Sequence, residues 1–190
     1  PGQANAGPRI GPVVISEVQY HPRPGDDAFV ELKNITGTPV PLYQGTTTNT
    51  WRLNGVDFRF PAGATLPANG IAIIASSAPE AFRARYVVPA DVPVFGPYGG
   101  ALQDSGERLE LQWPDDRGTN GIVFVTLDEV RYNDRAPWPT AADGIGPSLQ
   151  RQPLASFGDE PLSWRAASPT PGRDFVPGVA PTITQNPASV

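Results

Sequence analysis

Few side chains in this 190-residue sequence can do chemistry. There is one histidine and no cysteine. A thiol nucleophile is therefore excluded, and so are a disulfide and a zinc site built from His and Cys. His21, in Tyr20-His21-Pro22, would need a nucleophile and an orienting carboxylate to act as a general base. Ser16, Asp26 and Asp27 lie near it in sequence, but the chain contains no Gly-x-Ser-x-Gly turn. We read His21 as a loop histidine packed on the end of the fold.

The carboxylates are the richer set. Glu17 and Glu31 fall on two expected strands, with Asp26 and Asp27 in the loop between them; Asp104, Asp128, Asp134 and Asp143 fall near other strand ends. Calcium takes six to eight oxygens, and loops at one end of a β domain can supply them. Asp26, Asp27 and Asp143 are the candidate calcium ligands, although no Asp-x-Asp-x-Asp-Gly loop is present. The competing reading is acids that cap turns or face solvent. Paired carboxylates for glycoside hydrolysis require a cleft, which short loops rarely build. Trp138, in Pro137-Trp138-Pro139, and Tyr98, in a glycine-rich loop, are the candidate ligand-binding aromatics: an exposed ring would stack on a sugar or anchor a partner. Alternatively, Trp138 folds back over the core.

The elements that must position these residues are short and numerous. The chain has 20 glycines and 24 prolines with 39% hydrophobic residues, which means many turns between apolar runs. Val13–Val18 and Phe29–Asn34 read as strands, the second with Phe29, Glu31 and Lys33 on one face and Val30 and Leu32 on the other. Around Trp51–Ala75, Trp51/Leu53 and Phe58/Phe60 alternate with polar residues, and Asn54-Gly55 predicts a tight hairpin. Trp51, Leu53 and Phe58 are core candidates. Pro79–Tyr86 is the one expected helix, with Ser77 as its cap and Phe82 and Tyr86 on one face. Val92–Gly96, Leu109–Trp113, Ile122–Tyr132 with a bulge near Asp128, Ser148–Arg151 and Trp164–Ala166 complete the strands. This spacing predicts an all-β, immunoglobulin-like antiparallel β-sandwich with one short helix.

The order of the motifs resembles a bacterial lamin-tail-type domain. The matching pieces are Val14-Ile-Ser-Glu-Val-Gln-Tyr-His-Pro22, Phe29-Val-Glu-Leu-Lys-Asn34, Trp51-Arg-Leu-Asn-Gly55, Phe58-Arg-Phe-Pro-Ala-Gly63 and Leu66-Pro-Ala-Asn-Gly70. They continue through Leu102–Leu111, Asp128–Tyr132, Trp138-Pro139, Ala142-Asp-Gly144, Ser148–Arg151 and Pro169-Thr-Pro-Gly172. The resemblance implies an immunoglobulin-like module attached to an extracellular or cell-surface bacterial protein, with no shared catalytic residues. It covers a domain over 12–175; the Pro- and Gly-rich residues 1–11 read as a leader or linker, and 176–190 as a linker with the opening strand of a further immunoglobulin-like domain.

The expected role is therefore non-catalytic: interaction, adhesion or spacing within a larger secreted protein. The alternative is a carbohydrate-binding module using Trp138 and Tyr98. A metal-assisted hydrolase is disfavoured by the missing ligands and nucleophile motif. The expected partners are other domains of the same polypeptide and a protein or glycan. The net charge of −5 argues against nucleic acid and anionic membranes. No apolar run is long enough to insert into a membrane as a helix. No cofactor is expected; calcium is the one candidate, set against the reading of these acids as turn caps or solvated groups. The sequence starts Pro-Gly and has no methionine, so we expect a processed or excised piece.

Overall fold

The computed structural model describes residues 10–115 and 121–175. Over these residues the chain is mostly β, with several sheets and one α-helix. The strands are β1 (Val13–Gln19), β2 (Phe29–Asn34), β3 (Val40–Pro41), β4 (Arg52–Asn54), β5 (Phe58–Arg59), β6 (Thr65–Leu66) and β7 (Ile71–Ala75). After helix α1 (Pro79–Tyr86) come β8 (Val94–Phe95), β9 (Gly106–Asp115), β10 (Val123–Asn133), β11 (Ser148–Arg151) and β12 (Trp164–Ala167).

Six strands form one sheet in the order β12-β11-β1-β2-β7-β8, antiparallel except for the parallel β7–β8 pair. Four form a second, β10-β9-β4-β5, and β3 and β6 make a small third. The inner faces of the two larger sheets share a core. Ile15, Val18, Val30, Leu32, Ile74 and Leu149 come from the first, and Leu53, Leu109, Leu111 and Val130 from the second. Trp51 and Leu53 are buried as expected, and Phe58 packs partly buried against the same core.

The six-stranded sheet is covered on its outer face as well, so β1 and β2 are buried at every residue. Over β2 and β7, Phe29, Ile71 and Ile73 pack under Phe82 of α1 in a second cluster. Phe82 and Tyr86 do share one helix face, their rings 4.5 Å apart. The cap differs from expectation. Ala78 occupies the N-cap position with no side-chain hydrogen bond, and Ser77 Oγ is buried without a partner. Pro79 at the first turn removes one of the N–H groups a cap would satisfy.

The β4–β5 hairpin is also looser than Asn54-Gly55 alone predicts. Leu53 pairs with Phe58, so four residues make the turn, with positive φ at Gly55 (109°) and Asp57 (49°). Gly55 is needed for space too: a Cβ there would lie 2.7 Å from Leu109 Cδ2 and 2.8 Å from the Arg108 carbonyl. The bulge in β10 falls where expected, between Thr126 and Asp128. An extra residue on one strand re-aims its neighbours. The Asp128 carboxylate accepts hydrogen bonds from Ile15 N at 2.8 Å and Arg151 Nη1 at 2.6 Å, joining the two sheets.

Candidate functional site

The densest polar chemistry lies on the outer face of the six-stranded sheet. Glu17 of β1 and Glu31 of β2 are direct cross-strand partners, with Gln150 of β11 on the other side of Glu17. A second bulge, between Ile15 and Glu17, lets Ser16 Oγ donate to Glu31 Oε1 at 2.8 Å. Like charges facing each other across a pair of strands are destabilising. Both are also almost fully buried, Glu17 at 2% exposure and Glu31 at 3%. Burial pushes Glu17 up to about 7. Burial, with the Glu17 charge beside it, holds Glu31 well above the usual carboxylate range.

The segment 168–174 covers these acids. Ser148 Oγ donates to Glu17 Oε1 at 2.6 Å, Thr170 N to the same oxygen at 3.1 Å, and Thr170 Oγ1 to Glu17 Oε2 at 3.1 Å. Gly172 N donates to Glu31 Oε2 at 2.8 Å. Gln150 Nε2 donates to the Ser168 carbonyl at 2.7 Å, and Lys33, the only lysine, pairs with Asp174 at 2.5 Å. Every carboxylate oxygen of the pair thus accepts from a protein donor. A cavity of about 290 Å³ opens beside them, lined among others by Lys33, Gln150, Thr170 and Asp174. Glu17 and Glu31 themselves form part of its wall. What the arrangement does as it stands is hold a chain segment to the sheet.

The sequence placed Glu17 and Glu31 on neighbouring strands but gave no reason to pair them with residues 170–174, more than 140 positions from Glu31 in the case of Gly172. The one available signal was a pair of acids at strand positions whose neighbours are apolar.

His21 sits at a strand end, as expected. Its Nδ1 is 2.6 Å from Asp143 Oδ1, and its Nε2 is 3.7 Å from Asp104 Oδ2. An orienting carboxylate is therefore present. Ser16, however, is turned to the outer face and donates to Glu31. Asp27, Asp26 and Asp143 do not share a site. Asp27 Oδ2 lies 3.3 Å from Arg85 Nε, Asp26 lines a separate groove with Arg23 and Tyr86, and Asp143 is held by His21. Among the described residues no group of three or more His, Cys, Asp or Glu side chains is arranged to hold a metal.

Trp138 and Tyr98 are corrected by the structure. Each is only 7% exposed and belongs to the main core. Trp138 packs against Trp164, ring centroids 6.2 Å apart, as the lid of the alternative reading. The Tyr98 backbone N–H donates to the Ala75 carbonyl, which ties its glycine-rich loop to β7. Flanking prolines and glycines describe the backbone of a loop, and here its aromatic residues turn inward. Neither ring offers a face to a sugar.

Comparison of the chain with protein-family models, with curated proteins and with solved structures gave no match.

Proposed function

We propose that this chain is a non-catalytic interaction or spacer module of a larger extracellular or cell-surface bacterial protein, with a lamin-tail-like, immunoglobulin-like sandwich fold. The resemblance in motif order supports the family and the location. The observation that carries the mechanical role is the fastening of segment 168–174. Buried carboxylates, backbone N–H groups and the Lys33–Asp174 ion pair hold that segment across the sheet. A module linked to a neighbour through residues 176–190, which lie outside the described residues, would pass load into its sheet through this fastening.

Single-molecule stretching from the two chain ends tests the reading. The unfolding force is expected to drop in Glu17→Ala and Lys33→Ala, because each removes a tie between segment 168–174 and the sheet. A panel of chromogenic ester, phosphate and glycoside substrates tests the opposite class. Turnover abolished by Glu17→Gln would make the carboxylate pair catalytic and overturn the proposal.

A further inference from the structure

Segment 168–174 crosses the outer face of the six-stranded sheet without joining it. It contributes no strand, and its own backbone closes one turn, with Arg173 N donating to the Thr170 carbonyl at 2.9 Å. Neither apolar core contains any of its residues. β1 pairs with β2 and β11, and β11 with β12, through ladders that use none of the segment's backbone groups. What fastens the segment is polar, and much of it converges on two acids. Thr170 donates twice to Glu17, through its N–H and its hydroxyl, and Gly172 N donates to Glu31. Further ties are Gln150 Nε2 on the Ser168 carbonyl, the Lys33–Asp174 pair and Arg173 Nη2 on the Val87 carbonyl.

Glu17 and Glu31 face each other across β1 and β2, an unfavourable arrangement for two ionised acids. The uncharged groups around them are Ser16, Ser148, Gln150 and Thr170. Lys33 of β2 offsets the charge on Glu31, but Asp174 already pairs with that lysine. Arg151 of β11 turns its guanidinium to Asp128 and to the Ile15 and Ser156 carbonyls. Helix α1 packs over β2 and β7, and its charges lie elsewhere. Arg83 holds the Pro89 and Val92 carbonyls, Arg85 lies against Asp27, and Glu80 is exposed. Burial accordingly pushes Glu17 up to about 7 and holds Glu31 well above the usual carboxylate range. With the segment lifted, water reaches both carboxylates and they return to that range. The fastened form thus binds protons that the lifted form has released, so rising pH favours lifting.

We propose that segment 168–174 is a pH-operated strap: it lies fastened across the sheet while the Glu17–Glu31 pair keeps a proton, and lifts off, with the rest of the domain folded, once both acids are ionised. Lifting moves the point where the chain leaves the sheet from Asp174 back to β12. It also uncovers Gln150, whose Oε1 is buried without a partner while the strap is closed. The sheet has no need to open with it, because its ladders and both apolar cores are built from other residues. Local opening of a weakly packed segment ahead of global unfolding is the behaviour such a division of contacts produces.

Amide hydrogen exchange followed by NMR over a pH series tests this, with each rate expressed as protection relative to the intrinsic rate at that pH. Protection of the Thr170 and Gly172 amides is expected to fall between about pH 6 and pH 8.5, by up to about tenfold per pH unit for each proton released. Amides of β9 and β10 should stay protected over the same range. In the Glu17→Gln/Glu31→Gln double variant, protection of Thr170 and Gly172 should stay constant with pH. Both amide side chains can keep their partners there, because the Ser16 and Thr170 hydroxyls can turn from donor to acceptor. Glu31→Gln alone should make the fall shallower. Constant protection in the unsubstituted protein, or an equal fall in the variants, overturns the proposal. So does loss of protection in β9 and β10 at the same pH, which would make the event global unfolding. The stretching experiment, read at a single pH, still decides the module reading in each case.

Discussion

At the residue scale, buried charge dominates. Glu17 has a folded-state pKa near 7 against an ordinary value of 4.5, because burial disfavours its ionised form. Glu31 shifts in the same direction. Between these values the folded protein holds a proton that the unfolded chain has released, so stability falls as pH rises through the window. The melting temperature is therefore expected to decrease from pH 5 to pH 8. Glu17→Gln should flatten that slope, since it removes one titration and the repulsion felt by Glu31. A melting temperature that climbs over this range would contradict the buried pair. Asp128 and Arg151 form the other buried charge pair, at 2.6 Å with Arg151 fully buried. Removing one partner strands the other, so Arg151→Ala is expected to destabilise by about 3–5 kcal/mol in chemical denaturation.

Individual elements differ in what fastens them. Segment 168–174 has little regular structure of its own and is held by side chains from β1, β2 and β11. Deleting residues 169–175 should lower the melting temperature markedly, because it uncovers two acids and cuts their hydrogen bonds. Deleting residues 176–190 alone should leave it within a degree or two if that stretch belongs to a linker; a large loss would make it an integral part of the domain. The β4–β5 turn is the second sensitive element. At Gly55 an added methyl group meets the Arg108 carbonyl and Leu109 and takes on an unfavourable φ. Gly55→Ala is expected to cost at least about 1 kcal/mol, read from the denaturation midpoint.

At the scale of the whole molecule, the described residues pack around one core between two sheets and a smaller one under α1. Trp51→Ala, in the larger core, should cost about 3–5 kcal/mol. Calcium is expected to leave the melting temperature unchanged, because Asp27 is engaged by Arg85 and Asp143 by His21, with no shared cage among the described residues. A rise of several degrees in millimolar calcium would require those acids to regroup.

Local chemistry made much of this molecule legible in its sequence. Alternation and β-branched runs located β1, β2, β9, β10 and β11, and Pro79 with the Phe82/Tyr86 spacing located α1 at its observed bounds. The β10 bulge was legible because the apolar residues shift from odd positions, Val125 and Leu127, to even ones, Val130 and Tyr132, across Asp128. These features depend on neighbours a few residues away. The direction a loop aromatic faces, and which distant chain covers a polar strand face, do not. Trp138 turned inward because Trp164 stands beneath it. Glu17 and Glu31 are buried because a segment some 140 residues away in sequence crosses over them. Local pattern states which residues can pair or be buried; only the packing of remote segments decides which of them are, and that packing turned two ordinary strand acids into a buried pair that holds its protons above the usual carboxylate range.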